Sequence, residues 1–334
     1  MKVLVYGSGV IGSYLAHVLC EAGNDVTVFA RGAWKAQLEE NGLRIRHHLQ
    51  HRETLDHPKV IGDISEGKRG LKLRCSFDVV FAVMPYNKIG AILKSLAAIH
   101  TPLVVLVGNN MSPAEMREAI LSQTVCKKDV LFGFQATAGK RDRERGLLIC
   151  ERAGAGAMDI GGLHSPPDEA ARAKLDAAFG NTGYKLRWQP DMEAYLKCHL
   201  AAILPIGYLA YACDGDMRAS TGAQRKLMRL ASREAYALLK SQGVPILPEG
   251  DDRFYQPGIR GLAMQFLYFI MAKNKTIGDL VACEHCRNAW EEMRMLDEAF
   301  DAVIAQMPGA PMTHWKALKA QMPGWDNVRR RFGQ

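Results

Sequence analysis

The chain lacks an apolar run long enough to cross a bilayer: Leu262 to Ala272, its longest, is too short and contains Gln265. Nor does it show a leader. Met1-Lys2 runs directly into a strand pattern, so no signal peptide and no membrane partner are expected. Its 8 cysteines follow no framework spacing, which suits a reducing compartment and a cytoplasmic location. The C-x-x-C at Cys283-Glu284-His285-Cys286 has no second pair at finger spacing, so its thiols are read as helical packing residues. His47, His48, His51 and His57 have no carboxylates or cysteines at ligand spacing. They are read as a solvated, irregular segment, and no metal is expected. A basic face interleaved with aromatics is also missing, so the net charge of +8 is not assigned to nucleic acid; it favours small anionic ligands instead. With 48% hydrophobic and 23% charged residues over 334 positions, the chain can build two domains with sizeable cores.

What is present begins at once. Val3-Leu4-Val5-Tyr6 is short and β-branched enough for a buried parallel strand. Gly7-Ser8-Gly9-Val10-Ile11-Gly12 follows, and Ile11, Tyr14, Leu15 and Val18 then recur at helical spacing. Gly23-Asn24-Asp25 ends that helix and Val26-Thr27-Val28-Phe29 is a second strand. Strand, G-x-G-x-x-G, helix and strand in one short unit is the context of a dinucleotide-binding fold. Gly7 allows the tight turn, Gly9 lets the backbone approach a pyrophosphate, and Gly12 lets helix and strand pack closely. Amides of the Ser8, Val10 and Ile11 region then face the phosphates, aided by the helix dipole.

One more absence is local. A site for NAD expects Asp or Glu at the end of the second strand, on the ribose hydroxyls. Here the strand leaves through Phe29-Ala30-Arg31, with Lys35 one helical turn on, and Asp25 sits at the wrong end. A carboxylate would repel a 2′-phosphate, whereas a guanidinium binds one through paired, charge-assisted hydrogen bonds. The cofactor is therefore read as NADPH.

Further strands are expected at Leu43–Arg46, as an edge strand, and at Val60–Gly62, Phe77–Val83, Leu103–Val107, Val130–Phe134, Leu147–Cys150, Ala157–Gly161 and Tyr184–Trp188. The run Lys140 to Arg145 is read as the solvated turn of a hairpin between Val130–Phe134 and Leu147–Cys150. Phe77–Val83 ends at Met84-Pro85-Tyr86-Asn87 and Leu103–Val107 ends at Gly108-Asn109-Asn110-Met111. Both are carboxyl edges, where open parallel sheets place ligands. Helices are expected over Ile89–Ala98 and after Ser112, with Ser112 as N-cap, Pro113 at the first position and Glu115 in the first turn. Asn109 at that junction could bridge a nicotinamide ribose and a substrate oxygen. Gln189-Pro190-Asp191 divides an α/β domain, 1–189, from an all-helical one, 190–334. Helices are expected at Met192–Ala212, kinked at Pro205, and at Ala223–Gln242, Gly261–Lys273, Ile277–Gln306 and Thr313–Gln321. Within the first of them Lys197 stands in an apolar run, either snorkelling to the surface or entering a cleft as a cation.

With these residues in view the chain resembles the ketopantoate reductase (2-dehydropantoate 2-reductase) family over nearly its whole length. Gly7, Gly9 and Gly12 match the cofactor loop and Arg31 the NADPH-selecting arginine. Asn109 matches the Asn of an N-G-M segment, with Asn110 in place of glycine. Lys197 matches the lysine of a W-x-K segment, with Tyr195 in place of Trp. The resemblance implies a Rossmann domain followed by a helical substrate and dimerisation domain, with a homodimer as one oligomeric option. It also implies Lys197 as general acid, Asn109 as its catalytic neighbour, and reduction of a small keto acid. Two departures bear on substrate. Pro85 stands in this cofactor-side segment where the family has a lysine, and Glu284–Asn288 is the nearest match to the family's late Glu and Asn-Gly but is without the Gly. Alternatives are an opine-type or other hydroxy-acid dehydrogenase, and an NADPH-binding sensor without catalysis.

Overall fold

A computed structural model describes residues 1–62, 77–142, 144–152 and 154–333. It divides into two compact units, Met1–Met192 and Glu193–Gln334.

The first unit is built on an 8-stranded sheet. Its strands are β1 (Lys2–Tyr6), β2 (Asp25–Phe29), β5 (Lys59–Ile61), β6 (Val79–Val83), β7 (Leu103–Val107), β8 (Asp129–Phe134), β11 (Ala157–Gly161) and β12 (Lys185–Trp188), in the order β12-β11-β8-β7-β6-β1-β2-β5. From β5 to β8 every neighbouring pair is parallel, and β11 joins β8 antiparallel. The chain leaves β1 towards β2 and returns on its other side with β6. Such a reversal opens a crevice at the carboxyl ends of the central strands. Central strands covered on both faces read as continuous apolar runs, and all residues of β6 and β7 are buried. The crossover helices are α1 (Val10–Glu21), α2 (Gly32–Asn41), α3 (Tyr86–Ile89), α4 (Leu93–Ala98), α5 (Pro113–Leu121) and α6 (Glu169–Phe179). The helix expected over Ile89–Ala98 is thus broken, with a 3-10 turn at Gly90–Ile92 between α3 and α4.

A second, 4-stranded sheet corrects two expectations. It holds β3 (Leu43–His47), β4 (Arg52–Asp56), β9 (Ala138–Asp142) and β10 (Leu147–Glu151) in the order β4-β3-β10-β9. Strand β3 is interior, between β4 and β10, rather than at an edge. The hairpin partner of β10 is β9, made from part of the Lys140–Arg145 run, and not β8. Arg143 of that run lies outside the described residues.

Of the histidine segment, His48, His51 and His57 are exposed in turns or irregular backbone as expected, but His47 ends β3 and is fully buried. Its Nδ1 accepts from Arg152, which can only donate, so the proton sits on Nε2, 2.9 Å from Thr54 Oγ1. His17 lies alongside, with ring centroids 5.0 Å apart, and is paired to Asp56 at 2.8 Å. Burial first, then the nearby His17, Arg152 and Arg52, push the His47 pKa down to about 3. Unfolded, the ring titrates near its ordinary value of about 6.5. Between these values the unfolded chain binds the extra proton, so stability is fully present above about pH 6.5 and is lost as pH falls towards 3. At pH 5 the His47 share of that loss should be about 2 kcal/mol. His47→Asn should show a shallower fall between pH 7 and 5 in urea unfolding. A wild-type slope in the variant would remove His47 from the account.

The second unit is helical: α7 (Met192–Ala212), α8 (Gly222–Ser241), α9 (Ile259–Lys273), α10 (Lys275–Gly278), α11 (Glu284–Asn288), α12 (Trp290–Ala305), α13 (Thr313–Lys319) and α14 (Trp325–Phe332). Helix α7 carries Pro205 in its interior. Thr221 and Gln224 form a capping box that starts α8. The single helix expected over Ile277–Gln306 is instead α10, a π-helical segment at Asp279–Cys283, α11 and α12. Ala289 leaves helical geometry between the last two. Helix α14 is a further element beyond those expected. The core of this unit stacks Trp315 on Phe300, with Tyr208 at their edge.

Candidate functional site

The glycine loop shows what each glycine permits. Gly7 has φ +116°, and a Cβ there would lie 2.3 Å from the Val83 carbonyl oxygen at the end of β6. A Cβ on Gly12 would lie 1.9 Å from the Gly7 carbonyl oxygen. Both close approaches exclude any side chain. Gly9 differs: its φ is −66°, and a Cβ there would meet nothing within 4 Å. Gly9 is the N-cap of α1, and no side chain caps that helix start. The first-turn amides therefore have no intrahelical acceptor and face the open side of the loop with the positive end of the helix dipole. Open space and uncapped donors at one point fit the pyrophosphate of a dinucleotide.

Ser8, inside the loop, is buried. Its carbonyl oxygen accepts from Ser13 Oγ at 3.1 Å and from the Arg141 guanidinium, which reaches in from β9. Arg141 also lies 4.9 Å over the ring of Trp34 on α2. Reading the 140–145 run as solvated missed this residue. Alternating charges on a strand do not say which of them turns inward; a neighbouring element decides that.

At the end of β2, Arg31 is exposed as the N-cap of α2, 6.0 Å from the ring of Phe29, which itself stacks on Tyr6 at 4.3 Å. Lys35 stands one turn into α2, paired with Glu39 at 2.9 Å. Past β6, Pro85 is the N-cap of α3. Past β7, Gly108 has φ +141°, and a Cβ there would lie 2.9 Å from the Met84 carbonyl oxygen, so the β6 and β7 exits approach closely. Asn109 follows, half-buried. Asn110 is the turn residue: its Oδ1 accepts from the Ser112 amide at 2.9 Å. Ser112 does not cap α5 with its side chain, as expected of it; its hydroxyl lies 2.9 Å from Tyr86 OH. Pro113 and Glu115 do occupy the first turn of α5. The Gly7–Gly12 loop, Arg31, Pro85 and Asn109 thus all follow carboxyl ends of adjacent parallel strands.

In the helical unit, Lys197 lies on α7, half-buried, and its Nζ donates to Glu193 Oε1 at 2.7 Å. Sequence reading passed over Glu193, although the i, i+4 spacing of Glu and Lys is the signal for such a pair. The buried ring of Tyr195 runs parallel to His199, with centroids 6.5 Å apart. Burial first and then His285 push the His199 pKa down to about 3, so that ring stays neutral at physiological pH. Glu284 to Asn288 form α11, and Arg287 is held by Asp279 and the Gly215 carbonyl oxygen. Cys283 and Cys286 are buried, and burial raises both thiols, Cys286 to about 12. Among the described residues no cluster of three or more His, Cys, Asp or Glu could hold a metal ion. No helix of the described residues is long and apolar enough to cross a membrane. A surface hollow of about 960 Å³ in the first unit, lined by Glu118, Asp129, His164 and Asp168 among others, contains none of the expected site residues.

Residues 3–163 match the family model described as ketopantoate reductase PanE/ApbA. The uncharacterized oxidoreductase YkpB of Bacillus subtilis (strain 168) is 33% identical over 107 residues, 32% of this chain and 32% of that protein. The match thus spans about a third of the relative's length. Among solved structures, 2-dehydropantoate 2-reductase from Methylococcus capsulatus superposes with a TM-score of 0.72 at 17% identity, covering 100% of this chain and 98% of that one. A ternary complex of D-mandelate dehydrogenase with NADH and anilino(oxo)acetate gives 0.71 at 14% identity, covering 100% of both. The PanE/ApbA family ketopantoate reductase from Ralstonia eutropha JMP134 gives 0.69 at 18%, again covering 100% of both. Residues 3–163, just under half of the chain, are therefore similar to the ketopantoate reductase PanE/ApbA family, and over its full length the chain has the fold of the solved 2-dehydropantoate 2-reductases.

Proposed function

We propose that this chain is an NADPH-dependent reductase of a 2-keto acid or similar small ketone. The observation that carries the reading is the uncapped start of α1 beside open space at Gly9, with Arg31 exposed at the end of the adjoining strand. NADPH, when bound, supplies the hydride to the carbonyl carbon. The chain's part is to bind, orient and protonate. Amides from Ser8 to Gly12 hold the pyrophosphate, and Arg31, with Lys35 behind it, holds the 2′-phosphate. Backbone at Pro85 borders the cofactor. Asn109 orients the ribose and the substrate oxygen. Lys197 donates a proton to the oxygen as it becomes an alkoxide, and Glu193 steadies the ammonium group for that task.

A second reading is an NADPH-binding sensor, favoured by Pro85 in place of a lysine and by the altered α11 segment. An opine-type or other hydroxy-acid dehydrogenase is the third, and a D-mandelate dehydrogenase of the same fold shows how wide the substrate range on this scaffold can be. Monitoring NADPH oxidation over a panel of 2-keto acids that includes ketopantoate separates these readings. Turnover of at least one panel member is the expected result. Tight NADPH binding with no turnover on any of them would favour the sensor.

Cofactor choice has its own test. Arg31→Ala should weaken NADPH by about 1.5–3 kcal/mol, the range for a hydrogen bond to a charged group, with little change for NADH. Equal losses for both, by fluorescence titration, would sink the 2′-phosphate assignment.

A further inference from the structure

We infer that Arg141, from the small second sheet, is a positioning residue for the pyrophosphate loop; this rests on the dinucleotide reading above. The loop has one peptide whose orientation matters most, Ser8–Gly9. Its carbonyl oxygen is held from the inner side by two donors, Ser13 Oγ at 3.1 Å and the Arg141 guanidinium. The bond is trans, so its carbonyl and its N–H point to opposite sides. Holding the Ser8 carbonyl inward therefore turns the Gly9 N–H outward. That is the side on which a Cβ at Gly9 would meet nothing within 4 Å.

Ser13 alone is a weaker anchor, because a hydroxyl rotates freely and makes a neutral hydrogen bond. A guanidinium makes a charge-assisted one and is planar. Its plane is kept in place by the Trp34 ring, 4.9 Å away on α2, the helix that Arg31 caps. Arg141 thereby ties the pyrophosphate loop to the element carrying the proposed 2′-phosphate contact. It also adds a positive charge directly behind the loop, where a pyrophosphate would benefit from it. Both effects act on the part of the ligand that NADPH and NADH share. That separates Arg141 from Arg31, whose expected contact exists only in NADPH.

The test is titration of full-length Arg141→Met with NADPH and with NADH, beside thermal melting of the ligand-free protein. The Kd should rise by about 10- to 100-fold for both cofactors and by the same factor. The melting temperature without ligand should stay close to that of wild type, because methionine keeps an apolar stem against the Trp34 ring and Ser13 still holds the Ser8 carbonyl. Unchanged affinities would overturn the inference. So would a loss confined to NADPH, which would make Arg141 a 2′-phosphate contact. If Arg141→Met does not fold, Arg141→Lys carries the same criterion: it keeps a charged donor but not the plane over Trp34, and its smaller loss must again be shared equally. A wild-type protein that binds neither dinucleotide would overturn the cofactor reading itself, a result distinct from normal binding in the variant.

Discussion

Lys197→Ala should lower kcat by about 10²–10⁴-fold, the range for removal of a general acid, while NADPH affinity stays nearly unchanged. The expectation rests on position and company. Lys197 stands on α7 in a stretch where Ala194, Tyr195, Leu196 and Cys198 are buried, yet its own side chain keeps 24% exposure. Its ammonium is neither free in solvent nor enclosed; Glu193 one turn earlier holds it at 2.7 Å. A partly exposed pair of this kind contributes little to stability, about 0.3–0.5 kcal/mol for i, i+4 helix pairs. Losing it should leave the fold intact, so a large loss of turnover would be a statement about chemistry. Lys197→Met retains most of the stem and should be as inactive as Lys197→Ala, because the proton and charge matter more than the packing. Near-normal turnover by either variant on the true substrate would refute Lys197 as the acid.

Gly9→Val should abolish detectable cofactor binding in a protein that still folds. The three glycines of the loop are not equivalent. A side chain at Gly7 or Gly12 collides with backbone and should damage the fold. At Gly9 the backbone is in a region open to any L-residue, and a Cβ meets nothing of the protein. Placing Val at this N-cap should cost about 1 kcal/mol or less, the usual range for N-cap changes. Any larger effect on NADPH must then come from the ligand, whose pyrophosphate would share that space. Circular dichroism shows whether the variant is folded, and titration measures affinity. A folded Gly9→Val protein with normal NADPH affinity would place the phosphates elsewhere.

The parts legible in sequence were those set by local periodicity and by backbone sterics. The strand–glycine loop–helix–strand unit needs only contiguous residues, and the expected β1, α1 and β2 agree with the fold to within a residue or so. The long apolar helix Met192–Ala212 was readable for the same reason, since its pattern persists over many turns. What required tertiary structure was which of two similar strands pairs with which. Leu147–Glu151 has no local feature that prefers β9 over β8, and the choice created the sheet that buries His47 and carries Arg141. The broken helices at Gly90 and Ala289 escaped prediction because apolar periodicity continues across a break that packing imposes. Arg31 could be named from its place at a strand end. Arg141 could not, because a charge in a charged run becomes part of a site only when a distant carbonyl and a ring from another element meet it.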